Sequence, residues 1–98
     1  MSFETATDNR AARMREVLTA AFSPVALRVE DDSAKHAGHA GASPGGQTHY
    51  SVLIVSDAFA GLSRVERHRQ VNAALQAEFA DGLHALALTL RTPAEHRG

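Results

Sequence analysis

HYSVLIVSDAFAGLSRVERHRQVNAALQAEFADGLHALALTL, residues 49–90, decides the fold. Its first seven residues carry Tyr50, Val52 and Ile54 on one side and Leu53 and Val55 on the other. A strand apolar on both faces belongs in the middle of a sheet. Ser63-Arg64-Val65-Glu66 has the S-x-x-E form of a capping box and opens a helix running to about Phe79. Asp81-Gly82 closes it, glycine being able to take the positive φ of a helix end. Leu83 to Leu90 is a second apolar run of strand length. Two strands joined through a helix are expected to lie parallel, with a right-handed crossover.

Upstream, Met14, Val17, Leu18, Ala21 and Phe22 repeat at i, i+3, i+4, i+7 and i+8, one stripe of a helix. The helix is expected to start at about Asp8 as N-cap and to end at Ser23-Pro24, because the residue before proline is pushed out of the helical region. Val25, Leu27 and Val29 alternate with Ala26, Arg28 and Glu30, the pattern of a half-buried strand. A loop joins it to residues 49–55, so these two strands are expected to be antiparallel. Pro93 begins a short C-terminal turn, expected to fray. The order is α-β-β-α-β with a short terminal helix: a two-layer α+β (α/β) domain whose three-stranded mixed sheet carries helices on one face. Residues 1–98 read as one domain, with an ordered core over about 10–93 and flexible ends at 1–8 and 94–98.

Ninety-eight residues, 44% hydrophobic and 21% charged, suit a single small core. A net charge of −1 argues against a strong non-specific grip on nucleic acid, which depends on neutralising phosphates. No apolar run approaches the length of a membrane span, and the N-terminus has no apolar stretch before a cleavage site. The chain has no cysteine, which excludes disulfides and fits a reducing, cytoplasmic compartment.

Three of the six histidines fall within Lys35–Tyr50, KHAGHAGASPGGQTHY, a glycine-rich loop running into a strand. Loops of this length in compact domains are usually functional or disordered. Parallel pairing puts the starts of the last two strands at one edge of the sheet, where the first strand ends. His49 and His84 start those strands, and the loop carrying His36 and His39 emerges beside them. Each histidine alone has an ordinary solvated or structural reading; their convergence points to soft or borderline metal chemistry. Without a thiol the chain cannot hold an iron–sulfur cluster alone, so such chemistry needs a partner.

The remaining polar groups read as structural. His68 and Asn72 fall on the apolar face defined by Val65, Val71, Leu75 and Phe79, as partly buried groups hydrogen-bonded nearby. Arg64, Arg67 and Arg69 do not form one stripe on the helix, and a nucleic-acid surface there is not favoured. His96 reads as solvated and Asp57 as a turn residue. No Ser/His/Asp constellation follows from the spacings, and no enzymatic activity is expected.

Asp31-Asp32-Ser33 before a histidine-bearing loop, Thr48-His49-Tyr50, Val55-Ser56-Asp57 with Phe59 and Gly61, Arg67-His68-Arg69 and Leu83-His84-Ala85-Leu86 together resemble the BolA family. The likeness runs from about Met14 to Pro93. It implies a class II KH-like fold and a role beside monothiol glutaredoxins in iron–sulfur and iron handling. In that family a 2Fe–2S cluster is shared between the two proteins. Glutaredoxin and glutathione supply thiolates, and the BolA protein supplies the histidine of the H-A-L strand, here His84, and a His or Cys of the loop. Counting from Ser33 gives His36 as the loop ligand; counting back from Thr48-His49-Tyr50 favours His39. The isolated chain is then expected to hold no cofactor.

Two alternatives stay open. KH-like folds bind nucleic acid, with Arg64, Arg67 and Arg69 as candidate contacts and DNA as partner. Ala60-Gly61-Leu62-Ser63, however, has one glycine where a KH domain has G-x-x-G. The other is a mononuclear metal site built from His36, His39, His49 and His84, open to zinc. Self-association into a homodimer is left undecided.

Overall fold

The central strand of the sheet is the one whose sequence is apolar on both faces. The computed structural model describes residues 9–32 and 48–97. Helix α1 spans Arg10–Phe22, strand β1 Ala26–Asp31, and strand β2 His49–Val55. A 3-10 turn over Asp57–Phe59 leads to α2, Arg64–Ala74, and α3, Gln76–Ala80. Strand β3, Ala85–Arg91, and helix α4, Pro93–Arg97, complete the chain. The strand order is β1-β2-β3, with β1 antiparallel and β3 parallel to β2.

The register stacks the apolar side chains in rows. Leu27, Ile54 and Leu90 are cross-strand partners, as are Val29, Val52 and Leu88. Met14, Leu18 and Phe22 of α1 and Val71 of α2 close over this face, with Leu75 and Phe59, and all are buried. The opposite face carries Arg28, Leu53 and Thr89 in one row and Glu30, Ser51 and Ala87 in the next. Leu53 and Ser51 are half-buried, so β2 is central, yet its second face is only partly covered.

Local chemistry sets the joints. Asn9, one residue past the expected Asp8, caps α1, its side chain accepting from the Ala12 N–H. Ser63 caps α2 by accepting from the Glu66 N–H, as the S-x-x-E spacing requires. The Ser56 hydroxyl is buried, donating to the Phe22 carbonyl while it accepts from the Ala58 N–H. One side chain thereby ties the end of α1 to the end of β2.

Several sequence expectations are corrected. Val25 lies ahead of β1 and is exposed, because the strand begins only at Ala26. Val65 and Asn72 are exposed: the buried residues here are Val71 of α2 and Leu75 at its C-cap. The second helix is interrupted at Leu75, which caps α2 and precedes α3. Residues 93–97 form helix α4, begun by a capped turn. Glu95 accepts from the Thr92 N–H, the Thr92 hydroxyl accepts from the Glu95 N–H, and Arg67 grips the Glu95 carboxylate at 2.7 and 3.0 Å. Among the described residues no helix is long and apolar enough to cross a membrane.

Candidate functional site

The site begins with a buried charge cluster at the far end of the core. Arg10 of α1 and Glu78 of α3 meet at 2.7 Å with side chains 8% and 10% exposed. Arg13 adds two further hydrogen bonds to the same carboxylate. The Arg13 and Arg10 guanidinium groups outweigh the cost of burial and hold the Glu78 carboxyl below its ordinary value. Arg10 also donates to the carbonyls of Glu78 and Asp81, so one guanidinium fastens the chain leaving α3. Gly82 follows with φ +119°, a conformation L side chains rarely adopt.

That turn delivers His84. Its backbone N–H donates to the Thr48 carbonyl at 2.8 Å, joining the start of β3 to the start of β2. Its ring Nδ1 lies 3.2 Å from the Gly82 carbonyl. A carbonyl can only accept, so Nδ1 carries a proton, and Nε2 is the nitrogen of this exposed ring that can offer a lone pair. A hydrogen bond of this kind on one ring nitrogen is what fixes the tautomer of metal-binding histidines. His49 lies beside it, with ring centroids 6.0 Å apart and planes 18° apart. The Thr48 hydroxyl meets His49 Nδ1 at 2.9 Å.

The topology argument for the histidines therefore holds for His49 and His84. His36 and His39 lie outside the described residues. The two anchors of their segment do not: the Asp32 N–H donates to the His49 carbonyl at 2.7 Å, and Thr48 receives His84. Both ends of residues 33–47 are thus rooted at the sheet end that presents His84. Among the described residues no three His, Cys, Asp or Glu side chains converge on one point, so the described part of the site is a histidine pair.

The arginines candidate for nucleic acid separate in space. Arg67 is turned inward: it donates to the Leu62 and Leu90 carbonyls and to Glu95, and its guanidinium lies 5.9 Å from the centre of the Phe59 ring. Arg64 and Arg69 are exposed. Arg64 and Arg67 border a groove of about 620 Å³ between α2 and β3, together with Leu62, His68, Leu88 and Arg91. His68 is half-buried, with Nδ1 2.9 Å from the Arg64 carbonyl, the local bond expected of it. Sequence reasoning missed the Arg10–Glu78 cluster. Its only trace was a basic first turn, with nothing nearby to mark a partner 68 positions away.

The family model for BolA-like proteins matches residues 18–95. The chain belongs to the BolA family. Protein BOLA1, chloroplastic, of Arabidopsis thaliana is 48% identical over 92 residues, covering 92% of this chain and 58% of that one. The DNA-binding transcriptional regulator BolA of Escherichia coli (strain K12) is 41% identical over 86 residues, covering 88% and 78%. Among solved structures, the BolA domain of SufE1 from Arabidopsis thaliana superposes with a TM-score of 0.79 at 50% identity, over 88% of this chain and 94% of that one. The chain spans 25% and 58% of the length of two plant BolA relatives it matches. The mixed α+β fold with a three-stranded sheet is thus the BolA fold.

Proposed function

We propose that this BolA-family chain is an adaptor, not a catalyst, that pairs with a monothiol glutaredoxin and glutathione to share a 2Fe–2S cluster. The observation that supports it best is His84: exposed, at the root of the segment bearing His36 and His39, with Nδ1 held by a carbonyl so that Nε2 is the ligating atom. His36, or His39 in its place, supplies the second imidazole from the segment rooted beside it. The thiolates come from outside, since the chain has no cysteine. Imidazoles in place of thiolates raise the reduction potential of the iron they bind. They also make binding sensitive to acid, because a ligating ring must be unprotonated. A cluster held between two proteins moves on when they part, which suits assembly, trafficking or iron sensing in the cytoplasm. The test is to mix the protein with cluster-loaded glutaredoxin and glutathione and record visible absorption and circular dichroism. A new spectrum supports the adaptor; an unchanged one removes it.

A second reading, a nucleic-acid-binding regulator, draws on the groove between α2 and β3 with Arg64 and Arg91 at its border. Arg67, engaged with Glu95, must leave that carboxylate before it can meet a phosphate. A salt-dependent mobility shift on DNA probes separates the readings, and no retention at low salt eliminates this one.

A further inference from the structure

We propose that the outer edge of β3 is a docking site for an extended acidic segment of a partner protein. The segment adds to the sheet as a further strand and sets its carboxylates against Arg64 and Arg91. The surface lies at the end of β3 away from His84 and does not rest on the cluster reading.

The backbone of β3 is open on one side. It is an outer strand, paired to β2 alone. Its odd-numbered residues turn their backbone groups inward: the Ala85 N–H donates to the Thr48 carbonyl, and the Arg91 carbonyl accepts from the Ser56 N–H. Leu86, Leu88 and Leu90 therefore turn theirs outward. The Leu90 carbonyl shows that direction, because Arg67 of α2 donates to it at 3.2 Å. The N–H and C=O of Leu88 have no partner among the described residues. Such an edge is a template for another strand. The other outer strand, β1, is less open: Arg15 donates to the Val29 carbonyl, near its middle.

The groove beside this edge fits an extended chain. About 620 Å³ lies between α2 and β3, and four consecutive β3 residues, 88 to 91, line it. Neighbouring side chains on a strand point to opposite faces, so a groove that meets all four runs along the edge. Leu62, Leu88 and Leu90, all half-buried, give it an apolar floor.

Charge selects the occupant. Arg64, Arg67 and Arg91 line the groove against one carboxylate, Glu95. Arg67 already holds Glu95 at 2.7 and 3.0 Å. Arg64 and Arg91 are exposed and are left to meet carboxylates from outside. Arg64 opens α2, while Arg91 shares its side of β3 with Thr89, on the sheet face away from the helices. Adjacent acidic residues of an added strand point to opposite faces, so each arginine can meet one of them. A nucleic acid fits less well. It cannot continue the strand ladder at Leu88, and the groove offers its bases no Phe, Tyr or Trp to stack on.

The test uses the full chain and a short, capped, fluorescein-labelled peptide of valine and threonine with two adjacent glutamates at its centre. Fluorescence anisotropy gives the affinity, and nitrogen-15 amide spectra give the place. The expected result is saturable binding with shifts at the Leu88 and Leu90 amides. The double reversal Arg64→Glu with Arg91→Glu should weaken it by about tenfold or more, as should glutamine in place of both peptide glutamates. Methylating the peptide's backbone nitrogens should weaken it by a similar factor, about tenfold. His84→Ala should leave it within about twofold, being remote from the groove. Thermal melts show whether the double variant folds, and the peptide-side changes do not depend on it. No saturable binding, equal affinity for the glutamine or methylated peptide, or shifts that avoid Leu88 and Leu90 would each overturn the proposal. So would a single-stranded DNA probe that shifts the same amides and that the peptide cannot displace, which would assign the groove to nucleic acid.

Discussion

Arg10 reaches across the end of the core to Glu78, Nη1 to Oε1 at 2.7 Å, and the same guanidinium donates to the Asp81 carbonyl three residues ahead of His84. A buried ion pair therefore sets the turn from which the candidate ligand emerges. Glu78→Ala leaves Arg10 buried beside a missing charge, and a cost of about 3–5 kcal/mol is expected. Urea unfolding checks it. Glu78's folded pKa lies below the ordinary 4.5 through its hydrogen bonds to Arg13 and Arg10. Its contribution is complete above that value and is lost as pH falls through the lowered one. The Glu78→Ala variant should lose part of the wild type's acid dependence of stability.

Arg67 and Glu95 offer a second acid-sensitive contact. The Arg67 guanidinium, with the Thr92 N–H, lowers the Glu95 carboxyl from 4.5 to about 2. Because the folded value is the lower one, the clamp on α4 is intact above 4.5 and is lost as pH falls toward about 2. The Glu95 side-chain carbon signal should titrate near that value. Glu95→Gln should raise hydrogen exchange in α4 and leave the core amides unchanged.

Gly82 takes φ +119°, and a Cβ there would meet Arg10 Nη2 at 3.3 Å. The arginine tip can move, but the backbone angle cannot be relieved without shifting the turn. Gly82→Ala is expected to cost about 1–3 kcal/mol. A shifted turn should also displace the residue-82 carbonyl from His84 Nδ1 and so alter the His84 ring tautomer. Thermal unfolding and imidazole nitrogen shifts report the two effects.

Tyr50 is 2% exposed, and its hydroxyl has no hydrogen-bond partner among the described residues. Burial, then the Asp31 charge, pushes the phenol above its ordinary value of 10.0. Tyr50→Phe removes an unsatisfied buried group and should leave stability unchanged or raise it by up to about 1 kcal/mol, as measured by denaturant midpoint.

The legible parts of this fold were the local ones. The β2 limits follow from the run HYSVLIV, apolar on both faces, and the α2 start follows from Ser63 and Glu66, which are three residues apart. The pairing of His49 with His84 was legible because strand direction follows from the helix between them. The errors came where tertiary geometry decides. Val65 and Phe79 share a helical stripe on paper, yet the interruption at Leu75 puts them on two helices, with Val65 exposed and Phe79 packed against the core. Arg10 and Glu78 carry no mutual signal, since only the packing of α1 against α3 brings charges 68 positions apart together. Arg67 read as one of three equivalent arginines until Glu95, in a segment expected to fray, proved to hold it.

The most direct test of the adaptor account is electron paramagnetic resonance of the reduced complex. It would be formed from the nitrogen-15-labelled protein, unlabelled glutaredoxin and glutathione. The account predicts strong coupling of the cluster's electron spin to nitrogen-15 from this chain, and loss of the His84 component in His84→Ala. A cluster signal with no nitrogen-15 coupling, or the same coupling in His84→Ala as in the wild type, would contradict it.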